Sequence, residues 1–324
     1  MVCGIGLFSG GLDSMLAVRV LQEQGIHVIA VCFVTPFFGP EKARAAARHL
    51  SIPLRVIDIT DEHVAMLQNP RYGYGRNMNP CIDCHGLMFR EAGKLMDECN
   101  AQFLFSGEVL GERPMSQNKN SLRAVEKLSG HQGYVLRPLS AQLLPETIPE
   151  QQGLVDRSQL LAISGRSRKP QLELARKFGI TEYPEPAGGC RLTEPGYSKR
   201  LKELMEHGDN LNRRSLELLG IGRHLRLPGG VKIIIGRNKH ENQRLKQMAR
   251  DRDVVLCAVR VPGPTVLVPQ GGDEQTLLQA AAICARYSDM PPDATVSIRM
   301  RCGEYDHIVQ VVAAPDEIIR SYMI

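Results

Sequence analysis

The sequence predicts an α/β fold, a parallel sheet with helices on both faces, followed by a small α+β unit. Three observations carry this. Strand and helix signals alternate over the first hundred residues, and short apolar runs there end in glycine or turn residues. The last third then changes to short strands set around two helical segments.

Val2–Phe8 is an apolar run ending in glycines, the first strand. Leu12–Gln24 places Leu12, Leu16, Val20 and Leu21 at helical spacing, and Gly25 stops it. Ile26–Val34 is a continuous apolar run and predicts a buried strand. Lys42–Leu50 is alanine-rich and helical, Leu54–Ile59 predicts a third strand, and Glu91–Cys99 a helix. Phe103–Phe105 is a fourth strand, ending in Ser106-Gly107-Glu108. From Gln171 to Leu219 the chain is helical and charged, broken by TEYPEPAGGCRLTEPGY. Pro228-Gly229-Gly230 predicts a linker. After it come a strand at VKIIIGR, a helix at His240–Arg250 and strands at Asp253–Arg260 and Thr265–Val268. A helix at Thr276–Tyr287 and strands near Val296–Met300 and Ile308–Val312 complete the unit. The expected division is 1–175, a connecting segment 176–226, and 227–324.

Composition narrows the function classes. The 324 residues are 43% hydrophobic and 23% charged, as expected of a globular chain with a real core. Tryptophan is absent and aromatic residues make up 5%, which argues against a carbohydrate or aromatic-cage binder. A net charge of +5 and a pI near 8.7 permit a polyanionic partner. No apolar stretch reaches membrane-spanning length and no secretory leader is read, so a cytoplasmic protein without a membrane partner is expected. In that setting nine cysteines are reduced thiols, ligands or catalysts rather than a disulfide framework.

The stretch FSGGLDS follows the first strand and opens the first helix. Gly10 and Gly11 let backbone N–H groups approach an anion, and the helix N-terminus adds partial positive charge. Ser9 and Ser14 add hydroxyl donors, and Asp13 suits Mg²⁺ held against phosphate oxygens. The loop lacks the Gly-Lys-Ser/Thr ending of a Walker A loop and the G-x-G-x-x-G spacing of a dinucleotide site. SGGLDS in this strand-loop-helix context resembles the PP-loop of the N-type ATP pyrophosphatases, with an adenine nucleotide α-hydrolase-like fold. The resemblance implies cleavage of ATP between the α- and β-phosphates to adenylate a carbonyl-type oxygen.

Cys81 and Cys84 stand in NPCIDCH, with His85 adjacent. Four readings are open: a c-type haem attachment, disfavoured without export; a Zn²⁺ site short of a fourth ligand; a dithiol pair or plain buried thiols; and a site shared with Cys190. The last rests on a resemblance. A PP-loop, NPC through Cys84 and a later Gly-Gly-Cys together resemble the tRNA thiouridine synthetases, the 2-thiouridylase type especially. The resemblance implies that Cys84 and Cys190 flank the activated uridine. Cysteine at position 81, where some members carry aspartate, implies the three-cysteine pattern that binds a [4Fe–4S] cluster, with one iron open to hydrosulfide. The implied sulfur donor is free sulfide or a cysteine desulfurase relay. The rival functions are another PP-loop ligase with structural cysteines, and a tRNA- or ribosome-binding quality-control protein.

Arg166, Arg168 and Lys169 in SGRSRKP fit a tRNA-backbone contact. Between Arg226 and Arg252 stand eight Lys/Arg against two Asp/Glu, a basic stripe suited to phosphates. GRNKHEN, the VPGP turn and the ARYS helix end resemble the RNA-binding domain of NFACT proteins. That resemblance implies RNA contacts from Arg237, Asn238, Lys239 and Asn242.

Overall fold

The computed structural model describes residues 1–184 and 189–324. The chain forms two compact units, Met1–Glu194 and Pro195–Ile324. The expected connecting segment 176–226 divides between them, and Cys190 falls in the first.

The first unit contains β1 (Cys3–Leu7), α1 (Leu12–Gln22), β2 (His27–Val34), α2 (Glu41–Leu50), β3 (Leu54–Asp58) and α3 (Thr60–Gln68). Then come α4 (Cys81–Cys99), β4 (Phe103–Ser106), α5 (Lys119–Ser129), β5 (Val135–Leu136), the short α6 (Ile148–Gln151) and α7 (Lys169–Lys177). The strands run in the order β3-β2-β1-β4-β5, every pair parallel, as the alternating signals predict. Apolar residues cover both faces. Leu16, Ala47 and Ala175 of α1, α2 and α7 join one core, while Phe89 and Val125 of α4 and α5 join Ile5 and Leu104 in the other. A sheet buried on both sides needs such continuous apolar strands.

The second unit contains α8 (Pro195–Glu206), α9 (Arg213–Leu218), β6 (Arg223–Arg226), β7 (Lys232–Ile235), α10 (Lys239–Met248), β8 (Val254–Ala258) and β9 (Thr265–Val268). It continues through α11 (Glu274–Arg286), β10 (Thr295–Cys302), β11 (Tyr305–Val312) and α12 (Asp316–Tyr322). Its sheet, β11-β10-β8-β9-β7-β6, is antiparallel, with Ala281 and Ile283 of α11 packed on one face and Leu245 of α10 in a second cluster with Ile234 and Leu267. No helix among the described residues is long and apolar enough to cross a membrane.

Candidate active site

The strand order reverses between β1 and β4, so the loops leaving these two strands open onto one crevice. The β1 loop is the glycine–serine stretch. Gly10 has φ +76°, and a Cβ there would fall 2.3 Å from the Lys42 carbonyl oxygen, so a side chain is excluded twice over. Gly11 is the N-cap of α1, extended and without a side-chain cap. The first amides of the helix therefore remain for an outside acceptor. Ser14 Oγ donates to the Gly11 carbonyl at 2.7 Å, and Ser9 Oγ accepts from Gly11 N at 3.3 Å.

Asp13 stands in the first turn of α1, half-buried, with Oδ1 buried and unbonded. Burial raises its pKa above the ordinary aspartate value, against the opposing pull of Arg168, the Gln171 amide and Arg113. Glu112 beside it is raised too, first by burial and then by Asp13 itself.

The β4 loop closes on the same place. A Cβ on Gly107 would lie 2.4 Å from the Asp13 carbonyl, so the two loops touch backbone to backbone. The next residue, Glu108, is buried and fully bonded. It accepts from Ser106 Oγ at 3.0 Å and Arg137 Nε at 3.1 Å, and pairs with His85 Nδ1 at 2.7 Å. Arg137 reaches on to Glu126 at 2.5 Å. Burial alone would push Glu108 up, but Arg137 and His85 outweigh it and hold the carboxyl at about 2.

His85 leads to the thiols. Cys81 and Cys84 lie one turn apart at the start of α4, whose entry is pinned from outside. Asp83 accepts from Arg71 N and Tyr72 N at 2.8 and 3.0 Å, and Asn79 Nδ2 donates to Cys81 Sγ at 3.2 Å. The Cys190 segment is tied to the same region, with Arg191 N donating to the Phe37 carbonyl at 3.0 Å and Asn77 Nδ2 to the Thr193 carbonyl at 2.7 Å. The Pro-Ala-Gly of the motif before Gly189 lies outside the described residues.

The three thiols of Cys81, Cys84 and Cys190 are half-buried and act on one another. Burial pushes Cys84 well above the usual thiol value, and Cys190 and Cys81 add to it. Burial likewise pushes Cys190 up to about 11. Arg113 acts on both Cys190 and Asp13, so the thiols and the β1 loop share one electrostatic neighbourhood. Among the described residues, no three His, Cys, Asp or Glu side chains stand close enough to hold a metal ion as they are. Sulfur donors are of the kind that soft metals and iron–sulfur clusters take.

The residues expected to meet RNA have mixed placements. Arg166 and Lys169 are exposed. Arg168 is half-buried at the N-cap of α7 and acts on Asp13. Asn238 caps α10, its side chain accepting from Glu241 N at 3.0 Å. Arg237 pairs with Glu241, and Asn242 Oδ1 accepts from Thr265 N at 2.9 Å. Lys239 points to solvent. Sequence reasoning passed over Glu108, Arg137, Glu112 and Gln171. For Glu108 the available signal was its place directly after a strand at the C-terminal edge of the sheet.

A parallel sheet with a glycine–serine loop at its switch point, and three cysteines near it, defines the class: an α/β protein of parallel-sheet type. Known proteins add to this. The chain is 28% identical over 155 residues to a tRNA-specific 2-thiouridylase of Pelobacter propionicus, covering 43% of this chain and 42% of that one. It is 27% identical over 251 residues to that of Symbiobacterium thermophilum, covering 68% and 60%. A solved 4-thiouridine synthetase–RNA complex with bound ATP superposes with TM-score 0.43 at 22% identity, covering 67% of this chain and 52% of that one. Residues 222–323 match the NFACT protein RNA binding domain. The chain spans about half the length of the curated relatives it matches. It is thus similar to the PP-loop tRNA thiolases, with a C-terminal unit similar to the NFACT RNA-binding domain.

Proposed function

We propose that this protein thiolates a uridine of tRNA at the expense of ATP. The observation that supports the reading is the run of contacts from the β1 loop toward the thiols, Gly107 against Asp13 and Glu108 against His85, which follows Cys84. The amides around Gly10 and Gly11, with Ser9 and Ser14, bind the phosphates of ATP, and Asp13 with its unbonded Oδ1 takes Mg²⁺. The uridine carbonyl oxygen attacks the α-phosphorus, and the bond to the bridging oxygen breaks, releasing pyrophosphate. Sulfur then adds to the activated carbon and AMP departs. Loop amides and cation stabilise the phosphoryl charge throughout.

Cys81, Cys84 and Cys190 would hold a [4Fe–4S] cluster, whose open iron supplies a binding place for hydrosulfide. Without metal, buried neighbouring thiols stay protonated, and cationic iron removes that penalty. Free sulfide or a cysteine desulfurase supplies the sulfur.

The test is mass spectrometry of tRNA nucleosides from cells with and without the gene. Loss of one thiouridine, restored by the wild-type gene but not by Cys84→Ser or Cys190→Ser, is expected. Thiouridines unchanged by the deletion would sink the reading. Anaerobically purified protein is expected to be brown with about four irons per chain. Full thiolation by iron-free protein removes the cluster and leaves the enzyme class.

A further inference from the structure

The crevice contains more unsatisfied polar atoms than the β1 loop accounts for. Asp13 Oδ1, Arg168 Nε and both amide atoms of Gln171 are buried without a well-formed hydrogen bond, the Gln171 amide acting only on the Asp13 carboxyl. Gln171 is 0% exposed. Burying an amide without partners costs about 1–3 kcal/mol, so a fold that keeps one has it waiting for something.

Local structure shows why these atoms converge. Leu110 and Ser164 form an isolated parallel bridge, and Gly165 N donates to the Leu110 carbonyl at 2.8 Å. The loop after β4 and the loop before α7 are thereby zipped together, one bringing Glu112 and Arg113, the other Arg168. The α7 helix lies on the same core as α1, with Ala175 packed among the residues of α1. That seats Gln171, in the first turn of α7, facing the Asp13 carboxyl. Two guanidinium groups and one neutral amide therefore surround a carboxylate with a free oxygen, at the mouth of an uncapped helix. Two arginines beside an aspartate and a glutamate match a metal-bound polyphosphate: cation on the carboxylate, phosphate oxygens on the guanidiniums.

We propose that Arg168 and Gln171 of α7, together with Arg113, form the pyrophosphate end of the nucleotide site. They grip the β- and γ-phosphates that depart as pyrophosphate. The inference rests on the ATP-activating reading above. It moves Arg168 from an expected RNA contact to a substrate contact. As the bond between the α-phosphorus and the bridging oxygen breaks, the electron pair passes to the leaving pyrophosphate, and the guanidiniums take up that charge.

The test is titration calorimetry of inorganic pyrophosphate with Mg²⁺ into the full-length protein, beside tRNA binding measured across a salt series. Arg168→Ala is expected to weaken pyrophosphate binding about 10- to 100-fold, as loss of a charged hydrogen bond implies. Its tRNA affinity and salt slope should stay as in the wild type, and Arg168→Lys should restore part of the loss. Gln171→Leu keeps the volume and removes the orphaned amide, so it is expected to weaken pyrophosphate binding while leaving the melting temperature equal or higher. A purely structural glutamine would lower it. Unchanged pyrophosphate binding in both variants, or a loss of tRNA affinity in Arg168→Ala instead, overturns the proposal. Wild-type protein that binds pyrophosphate through Arg168 yet makes no thiouridine leaves this inference standing and overturns the thiolation reading alone.

Discussion

At the residue scale the site is defined by sulfur held in reserve. Cys84 is raised well above the ordinary thiol value, foremost by burial, and Cys190 is raised to about 11 for the same reason. At neutral pH both are thiols, not thiolates, and thiols are poor nucleophiles. A transient rise in reactivity must therefore come from something that binds: a cation, or the activated uridine of the proposed reaction. In metal-free full-length protein, alkylation of Cys190 by iodoacetamide is expected to be slow at pH 7.5. It should rise about tenfold per pH unit as the pH approaches 11, because the thiolate fraction does. Peptide mass spectrometry across a pH series reads this directly. Labelling at pH 7.5 as fast as a free thiol would show that the pocket does not desolvate the sulfur.

At the element scale, α3 presents its own titratable group to the segment after β2. His63 is 0% exposed, with its ring 5.2 Å from Phe37 and 5.8 Å from Phe38 and both ring nitrogens unbonded. Burial lowers its pKa from 6.5 to about 4. The unfolded chain then binds the proton more readily than the folded one. Stability from the neutral ring is complete above pH 6.5 and falls by about 1.4 kcal/mol per unit as the pH drops toward 4. Urea unfolding at pH 7, 6 and 5 should show this slope, and His63→Phe should flatten it. An unaltered slope in that variant would place the acid sensitivity elsewhere.

The same elements show what was legible beforehand. The strands of the parallel sheet were readable because a strand buried on both faces is a continuous apolar run. The β1 loop was readable because Gly10 is forced, by its positive φ and by the Lys42 carbonyl beside it. By contrast, α4 was expected only from Glu91, yet it begins at Cys81. Gly86 hid its first turns, since glycine reads as a helix breaker. The structure needs it: a Cβ there would fall 2.5 Å from the Cβ of Leu128, where α5 lies against that face. The Glu108–Arg137–His85 group was invisible for another reason. Its members are far apart in sequence, and only the order β1-β4-β5 brings them together.

At the scale of the whole molecule the question is how a modest net charge of +5 would serve the polyanion of the proposed reaction. Much of the basic stripe of the second unit is already engaged within that unit. Arg226 pairs with Glu203 and Asp209, Lys232 with Glu203, and Arg237 with Glu241. Arg226 and Lys232, nearly buried, hold the fold together and offer little to a phosphate, while Arg237 keeps half of its side chain in solvent. Asn238 and Asn242 are likewise spent on the α10 cap and on Thr265. Exposed Lys239 and Lys246 on α10 are the better candidates for the RNA backbone. Replacing both by alanine in the full chain is expected to weaken tRNA binding roughly tenfold at low salt and to reduce the salt slope by about two. Magnesium pyrophosphate binding and the melting temperature should not move. Asn238→Ala should behave oppositely, losing about 1 kcal/mol of stability with the α10 cap and keeping its salt slope. If instead Asn238→Ala removed tRNA binding in a fully folded protein while the lysine pair was silent, recognition would run through the loop before α10 and not through the charge on its surface.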